Sequence, residues 1–185
     1  FGLEDNLFVI IGVGRLNSIK KFDLLLEAFA KVHQVQSESI LIIAGDGEEK
    51  DRLIHLAKKL GVEKSVRFLG NIADVTKLYC AADVLAVTSD TESSSLVAIE
   101  AQACGTRCVL SAGVPKESVL LQQTQKLGKN ATSETWCNAL LNDSYKNTAV
   151  ASIEDYEVHN MSKKMKEIYL KYYSAYEEKR DVDTK

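Results

Sequence analysis

The sequence predicts an α/β fold: a doubly wound parallel sheet with helices on both faces and a helical tail. Three observations predict it. Short, wholly apolar runs recur through the first 110 residues, each closed by glycine or a polar turn. Between them lie segments whose apolar residues repeat at helical spacing. Strands apolar at every position, not at alternate ones, belong to a sheet covered on both sides.

The elements follow in order. Leu7-Phe-Val-Ile-Ile-Gly-Val-Gly14 reads as the first strand. A helix over residues 20–35 follows, with Phe22, Leu25, Leu26, Phe29 and Val32 on one face. Ile40-Leu-Ile-Ile-Ala44 is the second strand and ends at Gly45-Asp-Gly47. Leu53, Leu56, Ala57 and Leu60 share a face of the next helix, which Gly61 stops in the C′ position. Residues 65–69 make a third strand, ended by Gly70; Asn71 and Asp74 then cap a short helix over 74–81. Residues 84–87 are the fourth strand, 96–103 a helix, and 108–110 the fifth strand.

Beyond Ser111 the pattern weakens. Pro115 falls in a loop, a short strand is expected at 126–127 and a helix at 133–141. A long helix is expected over about 155–173, with Met161, Met165, Ile168, Tyr169 and Tyr172 on one stripe. The expected organisation is one domain over residues 1–150 and a helix and tail over 151–185.

Composition narrows the function classes. A chain of 185 residues, 45% apolar and 26% charged, has the mix of a globular protein long enough to close a core. Its formal net charge of -3 leaves no electrostatic footprint for nucleic acid. No unbroken apolar run reaches the ~18 residues of a membrane span, and no signal-peptide pattern opens the sequence. Cys80, Cys104, Cys108 and Cys137 form no C-x-x-C pair and lie far in sequence from His33, His55 and His159, so no zinc site is expected. Cys80 and Cys104 stand among alanines and read as small core residues. This cysteine usage places the protein in a reducing cytosol.

In a doubly wound sheet ligands sit beyond the carboxyl ends of the strands, where helix N-termini point at them. Two segments there carry chemistry. The first is Gly12-Val-Gly14-Arg15-Leu16 with Lys20. As a dinucleotide fingerprint it fails at Asn17, which stands where a third glycine belongs; a nicotinamide-dependent oxidoreductase is therefore a poor reading. What it does offer is two cations beside a strand end: Arg15 for bidentate phosphate contacts and Lys20 as a point charge.

The second segment runs from Glu92 through Ser93, Ser94, Ser95 and Leu96 to Glu100. Eight residues of helix rise about 12 Å, so the two carboxylates bracket a helix N-terminus without touching. The amides of Ser94, Ser95 and Leu96 are expected to be free to hold an anion. Glu100 stands among Leu96, Val97, Ile99, Ala101 and Ala103, and a carboxylate in so apolar a helix has a reason to be there.

Taken in order, these landmarks resemble a family. Val13-Gly-Arg-Leu16 with Lys20, Ala44-Gly-Asp-Gly47, Val66-Arg-Phe-Leu-Gly70, Ala82-Asp-Val84, the Glu92 to Glu100 element and Ile99-Glu-Ala-Gln-Ala-Cys-Gly105 resemble the C-terminal half of retaining GT-B glycosyltransferases of family 4, particularly bacterial exopolysaccharide and capsule enzymes. The resemblance implies a Rossmann-like domain binding a nucleotide diphosphate sugar, with uridine diphosphate as carrier by family habit. It implies that Gly14, Arg15 and Lys20 hold the diphosphate, that Glu92 contacts sugar hydroxyls, and that Glu100 takes the two ribose hydroxyls. Backbone around Phe68 and Leu69 is expected against the base.

The same resemblance implies no metal and no cofactor, an N-terminal acceptor domain absent from this chain, and transfer of a hexosyl unit to a glycan or lipid-linked acceptor. A cytoplasmic place at the inner face of the membrane goes with such acceptors, Lys163, Lys164, Lys166 and Lys171 forming a solvated basic face. A stand-alone nucleotide-binding or interaction module is the alternative. Three departures stand out: Ser93, Ser94 and Ser95 replace the usual glycines, Arg107 replaces a usual proline, and Lys21 occupies a common glycine position.

Overall fold

The structure is a computed structural model and describes residues 6–142. All of them fall in one of the two units into which the chain divides, Phe1–Ala151. The expected tail helix and the boundary at 150/151 lie outside the described residues.

Six parallel strands form one sheet in the order β3-β2-β1-β4-β5-β6: β1 Phe8–Val13, β2 Ser39–Ala44, β3 Val66–Gly70, β4 Val84–Val87, β5 Arg107–Leu110 and β6 Gln125–Lys126. The helices between and after them are α1 Phe22–Val35, α2 Lys50–Lys59, α3 Thr76–Cys80, α4 Leu96–Ala103 and α5 Ser133–Leu141. β1 and β2 pair over their whole length, from Phe8 opposite Ser39 to Val13 opposite Ala44. β1 and β4 are neighbours in the sheet though not in the chain, so the winding reverses between them. That reversal opens a crevice at their carboxyl ends.

The all-apolar strands separate into two cores because successive side chains point to opposite faces. Ile10, Leu41, Ile43, Val84, Ala86 and Val109 face one side, packed with Leu25, Phe29 and Trp136. Val9, Ile11, Ile42, Leu85, Cys108 and Leu110 face the other, with Leu78, Tyr79, Ala98 and Ala101. The four central strands, β2, β1, β4 and β5, therefore bury both faces, while β3 and β6 at the sheet edges are partly exposed.

Several expectations are corrected. The first helix begins at Phe22, not at residue 20, because residues 18–20 form a 3₁₀ turn in which Asn17 Oδ1 accepts the Lys20 N–H at 3.2 Å. Lys21 then sits at φ 52°, ψ 43°, the left-handed region that favours glycine. The helix expected over 74–81 spans only Thr76–Cys80, with Asp74 Oδ1 accepting the Thr76 N–H ahead of it. The last strand lies one residue earlier than expected, at Gln125–Lys126.

Cys80 is not a core residue. Five-residue α3 buries Leu78 and Tyr79, which leaves the next position, Cys80, exposed; Cys104 is half-buried, and Cys108 and Cys137 are the buried thiols. Arg107, in the usual proline position, is buried and donates to the carbonyls of Ala139, at 3.0 Å, and Leu140. It serves the end of α5, where carbonyls lack intrahelical partners.

Candidate functional site

The loops after β1 and β2 close on each other at the carboxyl edge. Leu16 N–H donates to the Asp46 carbonyl at 2.9 Å, and Glu49 N–H to the Leu16 carbonyl at 3.0 Å. The approach is so close that a Cβ on Gly45 would lie 1.9 Å from the Gly14 carbonyl oxygen, and one on Gly47 2.3 Å from that of Leu16. Glycine is required there by backbone packing. Beside the two loops opens a cleft of about 620 Å³ lined by Gly14, Arg15, Asp46, Asn71, Ile72 and Val75. Asp46 stays ionised: the Gly47 N–H, then Lys50, hold its carboxyl below the ordinary carboxylate range. The Arg15 guanidinium is exposed and only 3.5 Å from Glu48, a pair weak enough to yield to a better anion.

Lys20 and Glu92, read separately in the sequence, meet in the structure. Lys20 Nζ donates to Glu92 Oε1 at 2.6 Å, with the two side chains 23% and 12% exposed. Ser89 Oγ donates to the same oxygen at 2.7 Å, and the Glu92 N–H is held by the Gly113 carbonyl at 3.0 Å. The loops after β1 and β4 are stitched together around this pair. Thr88 Oγ1 donates to the Lys20 carbonyl at 2.7 Å, Asp90 N–H to the Ile19 carbonyl at 2.8 Å, and Lys21 reaches Asp90 at 3.3 Å. They meet because both loops flank the reversal in the sheet. Lys20 retains two further N–H donors for an anion.

At the start of α4 the amides divide. Ser95 is buried and its N–H donates to Ser118 Oγ at 3.1 Å, so the expectation of a free amide there is corrected. Ser94 and Leu96 are exposed, and their amides take no hydrogen-bond partner among the described residues. The buried Gln102 organises the segment that occupies Ser95. Its Nε2 donates to the carbonyls of Ala98 and Ser118, and its Oε1 accepts from the Leu120 and Leu121 amides and from Thr124 Oγ1. Sequence reasoning missed Gln102, although the argument applied to Glu100, a polar side chain in an apolar helix, points equally to it.

Glu100 lies on the exposed side of α4 and accepts a hydrogen bond from Tyr79 Oη at 2.9 Å. Tyr79, itself buried, is anchored through its carbonyl, which accepts from Thr106 Oγ1 at 2.8 Å. Burial, then the Glu100 carboxylate, raise the phenol's pKa, so Tyr79 remains a donor at neutral pH. No spacing in the sequence links residues 79 and 100; only the packing of α3 on α4 does. Leu69 is half-buried in β3, and the loop after β2 reaches the same strand end through Gly45 N–H to the Gly70 carbonyl at 2.8 Å.

Among the described residues no cluster of three or more His, Cys, Asp or Glu side chains could hold a metal ion, and no helix is long and apolar enough to cross a membrane. The glycosyl transferases group 1 family model matches residues 1–147. A D-inositol 3-phosphate glycosyltransferase of Gordonia bronchialis is 40% identical over 156 residues, covering 75% of this chain and 33% of the relative. An N-acetyl-alpha-D-glucosaminyl L-malate synthase of Bacillus anthracis is 31% identical over 109 residues, covering 59% of this chain and 28% of the relative. The chain thus spans about a third of the curated relatives it matches. Among solved structures, the Anabaena protein HepE in complex with UDP and glucose superposes with a TM-score of 0.69 at 28% identity, over 80% of this chain and 42% of that one.

Proposed function

Because this chain belongs to the glycosyl transferases group 1 family, with the fold of one half of a GT-B enzyme, we propose that it binds the nucleotide diphosphate sugar from which the whole enzyme transfers a hexosyl unit. The observation that carries the proposal is the Lys20–Glu92 pair, set beside the reversal between β1 and β4 with the open amides of Ser94 and Leu96 on the same loop. A diphosphate there meets a cation that keeps spare donors, the mobile charge of Arg15 and the positive end of α4. Glu92, held by Ser89, turns a carboxylate oxygen toward the hydroxyls of the sugar. Glu100, steadied by Tyr79, takes the ribose hydroxyls, and the cleft walled by Asn71, Ile72 and Val75 receives the base.

Uridine is the proposed base, by analogy with the UDP complex of HepE. The transfer is proposed to retain configuration and to need no metal. As the bond between anomeric carbon and phosphate oxygen breaks, charge grows on the departing diphosphate, where Lys20, Arg15 and the amides already stand. The acceptor hydroxyl, on a glycan or a lipid-linked carrier, is brought by the other domain of the enzyme, in the cytoplasm at the inner face of the membrane. The relatives named for inositol phosphate and malate extend the acceptor class to small hydroxylated anions.

Backbone amide shifts during a UDP titration test the reading. Perturbations are expected in residues 14–21 and 92–100 and should persist in EDTA. Shifts confined to the amino ends of the strands, or abolished by the chelator, would overturn it.

A further inference from the structure

We propose that the cavity beyond the ends of β4, β5 and β6 holds one saccharide unit of the acceptor, a reading that rests on the donor binding proposed for Lys20 and Glu92. The cavity, of about 430 Å³, is bounded by the loops after those three strands and by Leu24 of α1 and Trp136 of α5. That volume lies within the usual span of small-ligand pockets, roughly 300–1,000 Å³. Its walls are fastened. Ser111 Oγ donates to the Ser89 carbonyl, and a Cβ on Gly113 would lie 2.3 Å from the Asp90 carbonyl oxygen, so the loops after β4 and β5 meet backbone to backbone. The third wall, residues 128–131, is turned by the Ala131 N–H donating to the Gly128 carbonyl at 3.1 Å and leads into α5, which Thr132 caps.

The polar groups around the cavity suit hydroxyls. Asp90 gives one carboxylate oxygen to Lys21 at 3.3 Å and keeps the other as an acceptor. Lys129 and Asn130 are exposed, and their side chains take no hydrogen-bond partner among the described residues. Together the three offer an acceptor, a donor and an amide that is both, the set that neighbouring hydroxyls of a pyranose satisfy. The lining carries one anion, Asp90, and one cation, Lys129, so a neutral sugar fits it better than a phosphate does. Leu24, Ala131 and Trp136 supply apolar surface for the C–H face of the ring. Position assigns the unit to the acceptor. Ser89 lines the cavity while its hydroxyl donates to Glu92, and Gly113 lines it while its carbonyl holds the Glu92 N–H. A saccharide there lies beside the carboxylate proposed to face the transferred sugar, which is where an acceptor hydroxyl must be positioned to attack the anomeric carbon.

Methyl α-D-glucopyranoside is the probe. Trp136 is the single tryptophan of the chain, so its emission reports on the cavity. Titration of the full chain with millimolar sugar should change that emission and shift the backbone amides of residues 88–90, 111–113 and 128–131, with UDP present or absent. Lys129→Ala and Asn130→Ala, both at exposed positions, should each weaken the sugar about fivefold, the loss of one hydrogen bond, and leave the UDP shifts unchanged. Shifts confined to residues 92–100 and reversed by UDP would put the sugar in the place of the donor and overturn the proposal. Amides of the cavity that do not respond, or a sugar displaced by an equal concentration of inorganic phosphate, would overturn it as well. Sugar shifts in the cavity of a chain whose residues 14–21 and 92–100 ignore UDP would uphold the saccharide site and refute the donor reading instead.

Discussion

Replacing Glu92 by glutamine separates two roles that its contact with Lys20 could have. In the free protein the carboxylate neutralises a lysine only 23% exposed, and it stands close to where a diphosphate would bind. If neutralisation dominates, removing the negative charge should strengthen binding of UDP. Two unit charges about 7 Å apart, at an effective dielectric of about 40, interact by roughly 1 kcal/mol. Relief of that repulsion corresponds to about fivefold tighter binding per unit of diphosphate charge. The gain should shrink toward parity at high salt, since the Debye length falls to about 3 Å at 1 M.

The amide still accepts from Ser89 and Lys20, so destabilisation should stay near 1–2 kcal/mol, below the cost of stripping a buried ion pair of one partner. Calorimetric titration with UDP at low and high salt, beside a denaturant melt, reads both quantities. If the variant folds but binds UDP more weakly than the wild type, Glu92 orients Lys20 instead of competing for it, and the electrostatic argument fails.

Tyr79→Phe removes the donor that steadies Glu100 and should weaken UDP binding by about 1 kcal/mol, roughly fivefold, while leaving 2′-deoxy-UDP almost unaffected; equal losses for both ligands would assign Tyr79 to packing alone. Lys21→Gly relieves a left-handed residue that costs about 1–2 kcal/mol and gives up only an exposed ion pair with Asp90, so chemical denaturation should show net stabilisation of about 1 kcal/mol. Arg107→Ala removes the side-chain donor of the Leu140 carbonyl and leaves that of Ala139 with only the long bond from Asn142 N–H, at 3.4 Å, and should cost about 2–4 kcal/mol in the same assay. Burial pushes the Cys108 thiol from 9.0 up to about 12, so the native state holds its proton after the unfolded chain has released it. Its contribution is complete below pH 9 and is lost toward pH 12 at about 1.4 kcal/mol per unit, a slope that Cys108→Ala should remove from the pH dependence of unfolding.

The layered fold was legible in residues 7–110 because burial on both sides of a parallel sheet leaves its central strands almost wholly apolar, and helices between them must show a period near 3.6. Landmarks such as Gly45-Asp-Gly47 were visible as a pattern, but their cause was not: the clash with the Gly14 and Leu16 carbonyls exists only once two loops distant in sequence are brought together. Element ends slipped where side chains overrode periodicity, as Asn17 does by folding residues 18–20 into a turn that leaves Lys21 left-handed.

The site divides in the same way. Types and loops came from the sequence: cations after the first strand, carboxylates around the helix after the fourth. Which charges neutralise each other was decided by the sheet order, because β1 and β4, far apart in the chain, lie side by side and carry Lys20 to within 2.6 Å of Glu92. Packing of α3 on α4 likewise chose Tyr79 as the partner of Glu100 and left the Cys80 thiol exposed. A local pattern records what each residue must do for its own helix or strand. Pairings between elements depend on the register and order of the whole sheet, which no window of neighbouring residues contains.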